Sequence, residues 1–248
     1  MFHLRLNQLN PLEVELCMTG LSIRPPDVEG VFVRRINRFM GVAVINGEES
    51  LIHIHDPGRL SELLRPGIRV YAYVKSEGKA RYYLTAVRAG DELVLVNSAI
   101  HNHVASWLID NGLLLKGYRV VRREPRFLDG RFDLLLRRMD GVEAMVEVKG
   151  VTLEVNGVAK FPDAPTSRGA RHMARLIDAL RAGFEAHVVF LVFRRGARVL
   201  RPNTELDPRF ANALKKAVES GVKAWAYRLT LGDDWMLKPE CELPVELP

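Results

Sequence analysis

The chain has 248 residues, 48% of them hydrophobic and 27% charged, with a formal net charge of +6. That length allows one large domain or two small ones, and the composition is that of a soluble globular protein with a balance suited to a polyanionic partner. No apolar run reaches membrane-spanning length, the opening Met1–Arg5 lacks a signal-peptide core, and the two cysteines, Cys17 and Cys241, form no metal-ligand spacing; these features exclude a membrane partner and point to a reducing, cytoplasmic setting.

Residues 1–95 read as a β-rich first domain. Alternating runs predict strands over Val28–Ile36, Phe39–Ile45, Ser50–His55, Ile68–Val74, Ala80–Arg88 and Glu92–Val96, with turns at Asn46-Gly47, Pro66-Gly67 and Glu77-Gly78. Gly58–Leu64 reads as one or two helical turns between the third and fourth strands. A short helix there, in a small five-stranded barrel, fits an OB-like fold, a fold that often binds nucleic acid through basic grooves and exposed aromatics. Arg34, Arg35 and Arg81, with Tyr82 and Tyr83, supply that mixture, and Arg59 in the Asp56-Pro57-Gly58 turn is placed to reach a phosphate. His53 and His55 share a strand face, but without a firm third ligand they read as ordinary polar-face residues.

The pattern changes near Asn97, and residues 96–248 read as a second, α/β domain. A helix carrying Ile100, Val104, Trp107 and Leu108 stops at Gly112. Then come a strand over Arg119–Phe127 with Glu124, two strands around Asp140-Gly141, a connection turning at Asn156-Gly157, and a helix over Thr166–Ala182. A buried strand over His187–Phe193, a helix opened by Asp207-Pro208 and a last strand over Val222–Leu231 complete the order α-β-β-β-α-β-α-β. The Thr166 helix turns Met173, Leu176, Ile177 and Leu180 inward and carries Arg168, Arg171, His172 and Arg175 on its other side, a basic surface suited to phosphate.

The chemistry concentrates in the two strands around Asp140-Gly141. Asp133 lies on the first, Glu147 and Lys149 share a face of the second. A two-residue turn would set Asp133 opposite Val148; a three-residue turn over Met139–Gly141 sets it opposite Glu147, and this second register is expected. Facing carboxylates repel unless a cation sits between them, and Mg²⁺ or Mn²⁺ fits such oxygen donors. An ion held there can activate water and offset phosphoryl charge, with Lys149 beside it and Glu124 as an additional carboxylate. Taken alone, such a short trio is more often strand-end charges with Lys149 as their salt-bridge partner. Its apolar flanks, Leu134–Leu136, Val146 and Val148, imply burial on both faces, where charges need partners or a task.

Asp on one strand and Glu-x-Lys on the next resembles the PD-(D/E)xK nuclease fold of restriction-type endonucleases. A wider set of motifs resembles the sugar fermentation stimulation protein (SfsA) family. These are Arg131-Phe132-Asp133, Glu147-Val148-Lys149-Gly150-Val151-Thr152-Leu153, Phe161-Pro162-Asp163-Ala164-Pro165-Thr166-Ser167-Arg168-Gly169 with His172, and Arg201-Pro202 before Asp207-Pro208. The resemblance implies a two-domain α+β and α/β protein, an N-terminal OB-like β-barrel followed by a restriction-endonuclease-like domain with a mixed sheet. It also implies DNA binding, a regulatory link to sugar metabolism and a nuclease-like site. One departure stands out: Asp56-Pro57-Gly58-Arg59 replaces the family's usual Asn-Thr-Gly-Arg. A homodimer is compatible with the sequence without being indicated by it.

Overall fold

Alternating runs of apolar and polar side chains fall on strands between residues 28 and 95. The computed structural model describes residues 20–248, so Cys17 and the opening Met1–Arg5 lie outside the described residues. After a two-residue strand β1 (Leu21–Ser22) come β2 (Val28–Asn37), β3 (Met40–Ile45), β4 (Glu48–His53), β5 (Arg69–Val74), β6 (Tyr82–Ala89) and β7 (Glu92–Leu95). Asn46 and Gly47, at φ 52° and 83°, make the two-residue β3–β4 turn. The strand order is β4-β3-β2-β5-β6, and β6 returns to β4 in parallel, Ile52 beside Tyr82 and His53 beside Tyr83. That pairing closes the expected five-stranded barrel around Phe32, Ile52, Ile54 and Leu84. The Gly58–Leu64 segment is shorter than a helix: Leu63 and Leu64 both donate to the Leu60 carbonyl, at 3.0 and 2.7 Å. Leu60 and Leu63 join the barrel core.

A 3₁₀ turn, Ser98–Ile100, leads into α1 (His101–Asp110). There follow β8 (Tyr118–Arg123), a short hairpin β9 (Arg126–Phe127) and β10 (Gly130–Arg131), then β11 (Leu134–Arg138) and β12 (Glu143–Val151). A second short hairpin, β13 (Glu154–Val155) and β14 (Val158–Phe161), precedes α2 (Ser167–Arg181). The chain ends through β15 (Glu185–Val192), β16 (Val199–Pro202), α3 (Pro208–Glu219), β17 (Lys223–Leu231) and β18 (Met236–Leu243). The main sheet runs β8-β11-β12-β15-β17, with β12, β15 and β17 parallel and β11 and β8 antiparallel, the expected mixed sheet. Strand alternation sends Val146, Val148, Val189 and Leu191 to the α1 side, with Val104 and Leu108. Met145, Val151, Val188 and Phe190 face α2 and α3, with Met173, Leu176, Phe210 and Leu214. β8 is the free edge of this sheet, and its Arg119, Arg122 and Arg123 are exposed.

Three details depart from the sequence expectation. The Arg119–Phe127 strand breaks because Glu124 takes φ 51° before Pro125, and the chain then turns through the β9–β10 hairpin. The connection expected after Thr152 is instead a small sheet, β13-β14-β16, built on Asn156 and Gly157 at φ 53° and 85°. β18 was not expected, because Pro239 interrupts its pattern; the register of β17 and β18 shifts at that point, which is where a sheet tolerates proline.

The two halves share one apolar core. Val87 of the barrel and Leu93 and Leu95 of β7 pack in the same cluster as Leu108, Val189 and Leu229, and Leu93 pairs with Leu231 of β17. A polar clasp reinforces the seam. Asp163, between β14 and α2, accepts the Leu60 N–H at 3.0 Å and lies flat against Gly58, where any Cβ would fall on its carboxylate. Gly58→Ala is therefore expected to destabilise the protein by about 1–3 kcal/mol, the range for overpacking a filled site. Urea unfolding measures it, and Asp163→Ala in the same chain should recover part of the loss by clearing the carboxylate.

Candidate active site

β12 is buried on both faces, between antiparallel β11 and parallel β15. The loop before it is the three-residue turn: Arg138 N–H donates to Val142 (2.8 Å), Gly141 N–H to Arg138 (3.0 Å), and Gly141 takes φ 91°. Leu134 pairs with Val146 and Leu136 with Ala144, the register that carries Asp133 toward Glu147. Asp133 itself has left the ladder. Its N–H donates to the Val146 carbonyl (3.0 Å) and its own carbonyl accepts the Glu124 N–H (2.9 Å). Its carboxylate then clips the strand end, Oδ2 accepting the Val148 N–H at 2.7 Å and Oδ1 accepting Asn102 Nδ2 of α1 at 3.1 Å.

Glu147 is 2% exposed. Its Oε1 accepts from Lys149 Nζ and from His172 Nδ1, and Lys149 Nζ lies 3.2 Å from the same ring nitrogen. Arg168 Nε donates to His172 Nε2 at 3.2 Å. With Nε2 accepting, the proton of a neutral His172 sits on Nδ1 and points at Glu147. The two carboxyl groups are driven apart. Burial, then the charge of Glu147, pushes Asp133 above the usual carboxylate range, with Lys149 opposing. Burial pushes Glu147 the same way, but Lys149 and His172 outweigh it and hold Glu147 below that range.

Asp133, Glu147 and Lys149 thus come together. Glu124 reaches Asp133 only through its backbone; its carboxylate is exposed and pairs with Arg131 at 3.4 Å. Among the described residues no group of three or more His, Cys, Asp or Glu is arranged to hold a metal. The four basic residues of α2 do not form one exposed face, which corrects the expectation for that helix. Arg168 and Arg171 are exposed, whereas His172 is buried against Glu147. Arg175 is tucked against Gly130 and pairs with Asp129 at 3.2 Å. On the barrel, Arg35 is spent on structure, donating to the carbonyls of Asn37, Arg38 and Arg59. Arg34 pairs with Glu49 at 3.6 Å, Arg81 lies over Tyr82, and Arg59 is exposed.

The sequence reading did not single out Asn102 or His101 as parts of this site. His101 stacks on Phe193 and fills the space that Gly150 leaves open; burial pushes it down to about 3, so it is neutral. Nothing in the helical spacing of α1 marks either residue. The Asp56-Pro57 replacement also finds its place here. Asp56 Oδ1 accepts the Gly58 N–H at 2.7 Å beside the Asp163 clasp. Burial, with a further push from the charge of Asp163, raises Asp56 to about 6. A carboxyl whose folded pKa is raised contributes stability that is present below its unfolded pKa and lost as pH rises toward 6 and beyond. Asp56→Asn should therefore raise the melting temperature at pH 7 and flatten its dependence between about pH 4 and 7, read by thermal melts across that window.

An OB-like barrel fused through a shared core to a restriction-endonuclease-like sheet, with an Asp at the entry to β11 and a Glu-x-Lys on the central strand β12, defines a two-domain protein of nuclease fold. Residues 33–96 match the SfsA N-terminal OB domain, and residues 99–234 match the sugar fermentation stimulation protein RE domain. The chain belongs to the sugar fermentation stimulation protein family. It is 66% identical over 222 residues to a sugar fermentation stimulation protein homolog of Caldivirga maquilingensis, covering 90% of this chain and 96% of that one. A homolog of Pyrobaculum neutrophilum is 60% identical over 92% of this chain and 97% of its own. The solved structure of Pyrococcus furiosus SfsA in complex with Ca²⁺ superposes with a TM-score of 0.86 at 32% identity, covering 93% of this chain and all of that one. No helix among the described residues is long and apolar enough to cross a membrane.

Proposed function

We propose that the chain is a cytoplasmic, divalent-metal-dependent deoxyribonuclease that hydrolyses phosphodiester bonds at Asp133, Glu147 and Lys149. The observation that carries this reading is the buried pair of carboxyl groups, driven to opposite sides of the usual range, with a Lys ammonium between strand and helix beside them. A carboxyl held up by burial and, after that, by its neighbour's negative charge is a place where a cation is favoured. Two carboxylates are as many as Mg²⁺ or Mn²⁺ ordinarily takes from a protein, the rest being water and phosphate oxygens, so the residues fit such an ion at Asp133 and Glu147. Binding of Ca²⁺ by the Pyrococcus furiosus relative supports a hard divalent cation in this family. When bound, the ion supplies Lewis acidity and an acidified water.

The chain's own groups divide the remaining work. Asn102 and the Val148 N–H hold Asp133 in place. His172, oriented by Arg168, holds Glu147 ionised. Lys149 holds an ammonium against Glu147, beside the carboxyl pair, where it would serve a phosphate oxygen or an attacking water. Arg168 and Arg171, exposed on the first turns of α2, and Arg59 on the barrel offer charge to the DNA backbone.

Lys149→Ala is expected to lower cleavage by about 10²-fold or more while costing binding at most roughly one phosphate contact. Glu147→Gln should abolish metal-dependent cutting and leave DNA affinity equal or tighter, and Arg168→Ala should weaken both. The assay is cleavage and binding of single- and double-stranded DNA with Mg²⁺, Mn²⁺ or EDTA. A second reading, a non-cleaving DNA-binding regulator of sugar-metabolism genes, draws support from Lys149 and His172, which already satisfy Glu147 without a cation. Wild type that cuts nothing with any metal, and binds DNA equally in Mg²⁺ and EDTA, decides for that regulator.

A further inference from the structure

The outer wall of the barrel carries a row of rings that the site above does not use. Register sets His53 of β4 beside Tyr83 of β6, and Tyr83 opposite Tyr73 of β5, so three adjacent strands present three aromatic side chains side by side. Ile52, Ile54, Tyr82 and Leu84 alternate with them and are buried inside, which turns His53, His55 and Tyr83 outward. Ring centroids are 5.5 Å apart for His53 and Tyr83, 5.8 Å for His55 and Tyr83, and 6.5 Å for Tyr73 and Tyr83, the last pair stacked. The Arg24 guanidinium lies over the Tyr73 ring at 4.7 Å and extends the row. Burial holds His53 and His55 below the ordinary histidine range, so both rings are neutral at pH 7 and present π faces. Lys75 is close enough to His53 to add to that effect, and it places a second cation at the row.

The row ends at the start of α1. Tyr83 Oη donates to Asn97 Oδ1 at 2.9 Å, and His55 Nδ1 lies 2.8 Å from Ser98 Oγ. Asn97 and Ser98 start the turn that becomes α1, and Asn102 in the first turn of α1 holds Asp133. At 1.5 Å of rise per helical residue, the end of the row and the carboxylate clip are separated by about 6–10 Å of backbone. Of these rings His55 is exposed and His53, Tyr73 and Tyr83 are half-buried, and Arg24 also pairs with Asp27 at 2.7 Å. A duplex hides the faces of its bases and offers its phosphates; a row of accessible rings suits bases that are already unstacked.

Resting on the nuclease reading for the site, we propose that the row His55, His53, Tyr83, Tyr73 and Arg24 is a stacking platform that binds unpaired bases of single-stranded DNA and leads that strand toward Asp133 and Glu147. The test is fluorescence anisotropy of a labelled single-stranded thymidine oligonucleotide and of a labelled duplex, both in EDTA, so that binding is read without cleavage. Wild type should bind the single strand more tightly than the duplex. Tyr83→Leu should weaken single-strand binding about tenfold or more, the loss of stacking for one base, and change duplex binding less than about twofold. Tyr83→Phe, which keeps the ring and loses only the contact to Asn97, should bind like wild type. If Tyr83→Leu fails to fold by circular dichroism, Tyr73→Leu and His53→Ala carry the same expectation. Unchanged single-strand affinity in the folded variants, or an equal fall for single strand and duplex, overturns the platform. Ring-dependent single-strand binding by a protein that cuts nothing keeps the platform and sinks the nuclease. Metal-dependent cutting with unchanged single-strand affinity in these variants does the reverse.

Discussion

One cost shapes the C-terminal half: the Glu147 carboxylate lies in a strand whose neighbours on both faces are apolar. An ion removed from water loses several kcal/mol that only close partners return. Two such partners come from different levels of structure. Lys149 is two residues along the same strand, hence on the same face, and needs no tertiary arrangement. His172 comes from α2, so the helix must present it to the sheet together with Met173 and Leu176. The start of α2 is tied accordingly: Thr166 caps it through the Gly169 N–H at 3.0 Å, and the Thr166 N–H donates to Asp207 Oδ2 at 2.7 Å. Asp207 caps α3 with its other oxygen, at 2.9 Å from the Phe210 nitrogen. One carboxylate thus sets the rotation of α2, and one aspartate couples the two helices that cover that face.

The barrel strands and the Asp133, Glu147, Lys149 cluster were legible in the sequence because each rests on a local rule, whereas the mixed sheet was expected only through the family resemblance. Strand alternation marks the elements, a three-residue turn sets the register of β11 and β12, and a spacing of two puts Glu147 and Lys149 on one face. What was not legible depends on distant partners. His172 reads as one of a set of basic residues until the sheet supplies Glu147 on its other side. Glu124 reads as a carboxylate on the strand before the two motif strands until φ 51° turns it outward to Arg131. Asn102 gains its role only when α1 is laid over the end of β11, and Arg35 loses its apparent freedom only when the loop carbonyls close around it. β18 was hidden by Pro239, whose fit depends on a bulge that no single strand announces.

The seam between the halves does more than join them. Gly58 and Asp163 press the barrel against the connection that leads into α2, while Leu93 and Leu231 continue the sheet from one half to the other. With Val87, Leu95, Leu108 and Leu229 in one apolar cluster, neither half could be exposed to water without uncovering the core of the other. The barrel face and the carboxylate site are held in fixed relation by packing and not by a linker.

The arginines along β8 bear on how copies of this chain can meet. β8 ends the main sheet among the described residues, and the start of its outer edge is already occupied: the Tyr118 N–H donates to the Leu115 carbonyl at 3.1 Å and the Val120 N–H to Asp110 Oδ1 at 2.9 Å, which blunts it as a template for another strand. Arg119, Arg122 and Arg123 stand on that short edge. A second copy approaching edge to edge would bring arginine against arginine, and the repulsion guards the sheet against running on from molecule to molecule.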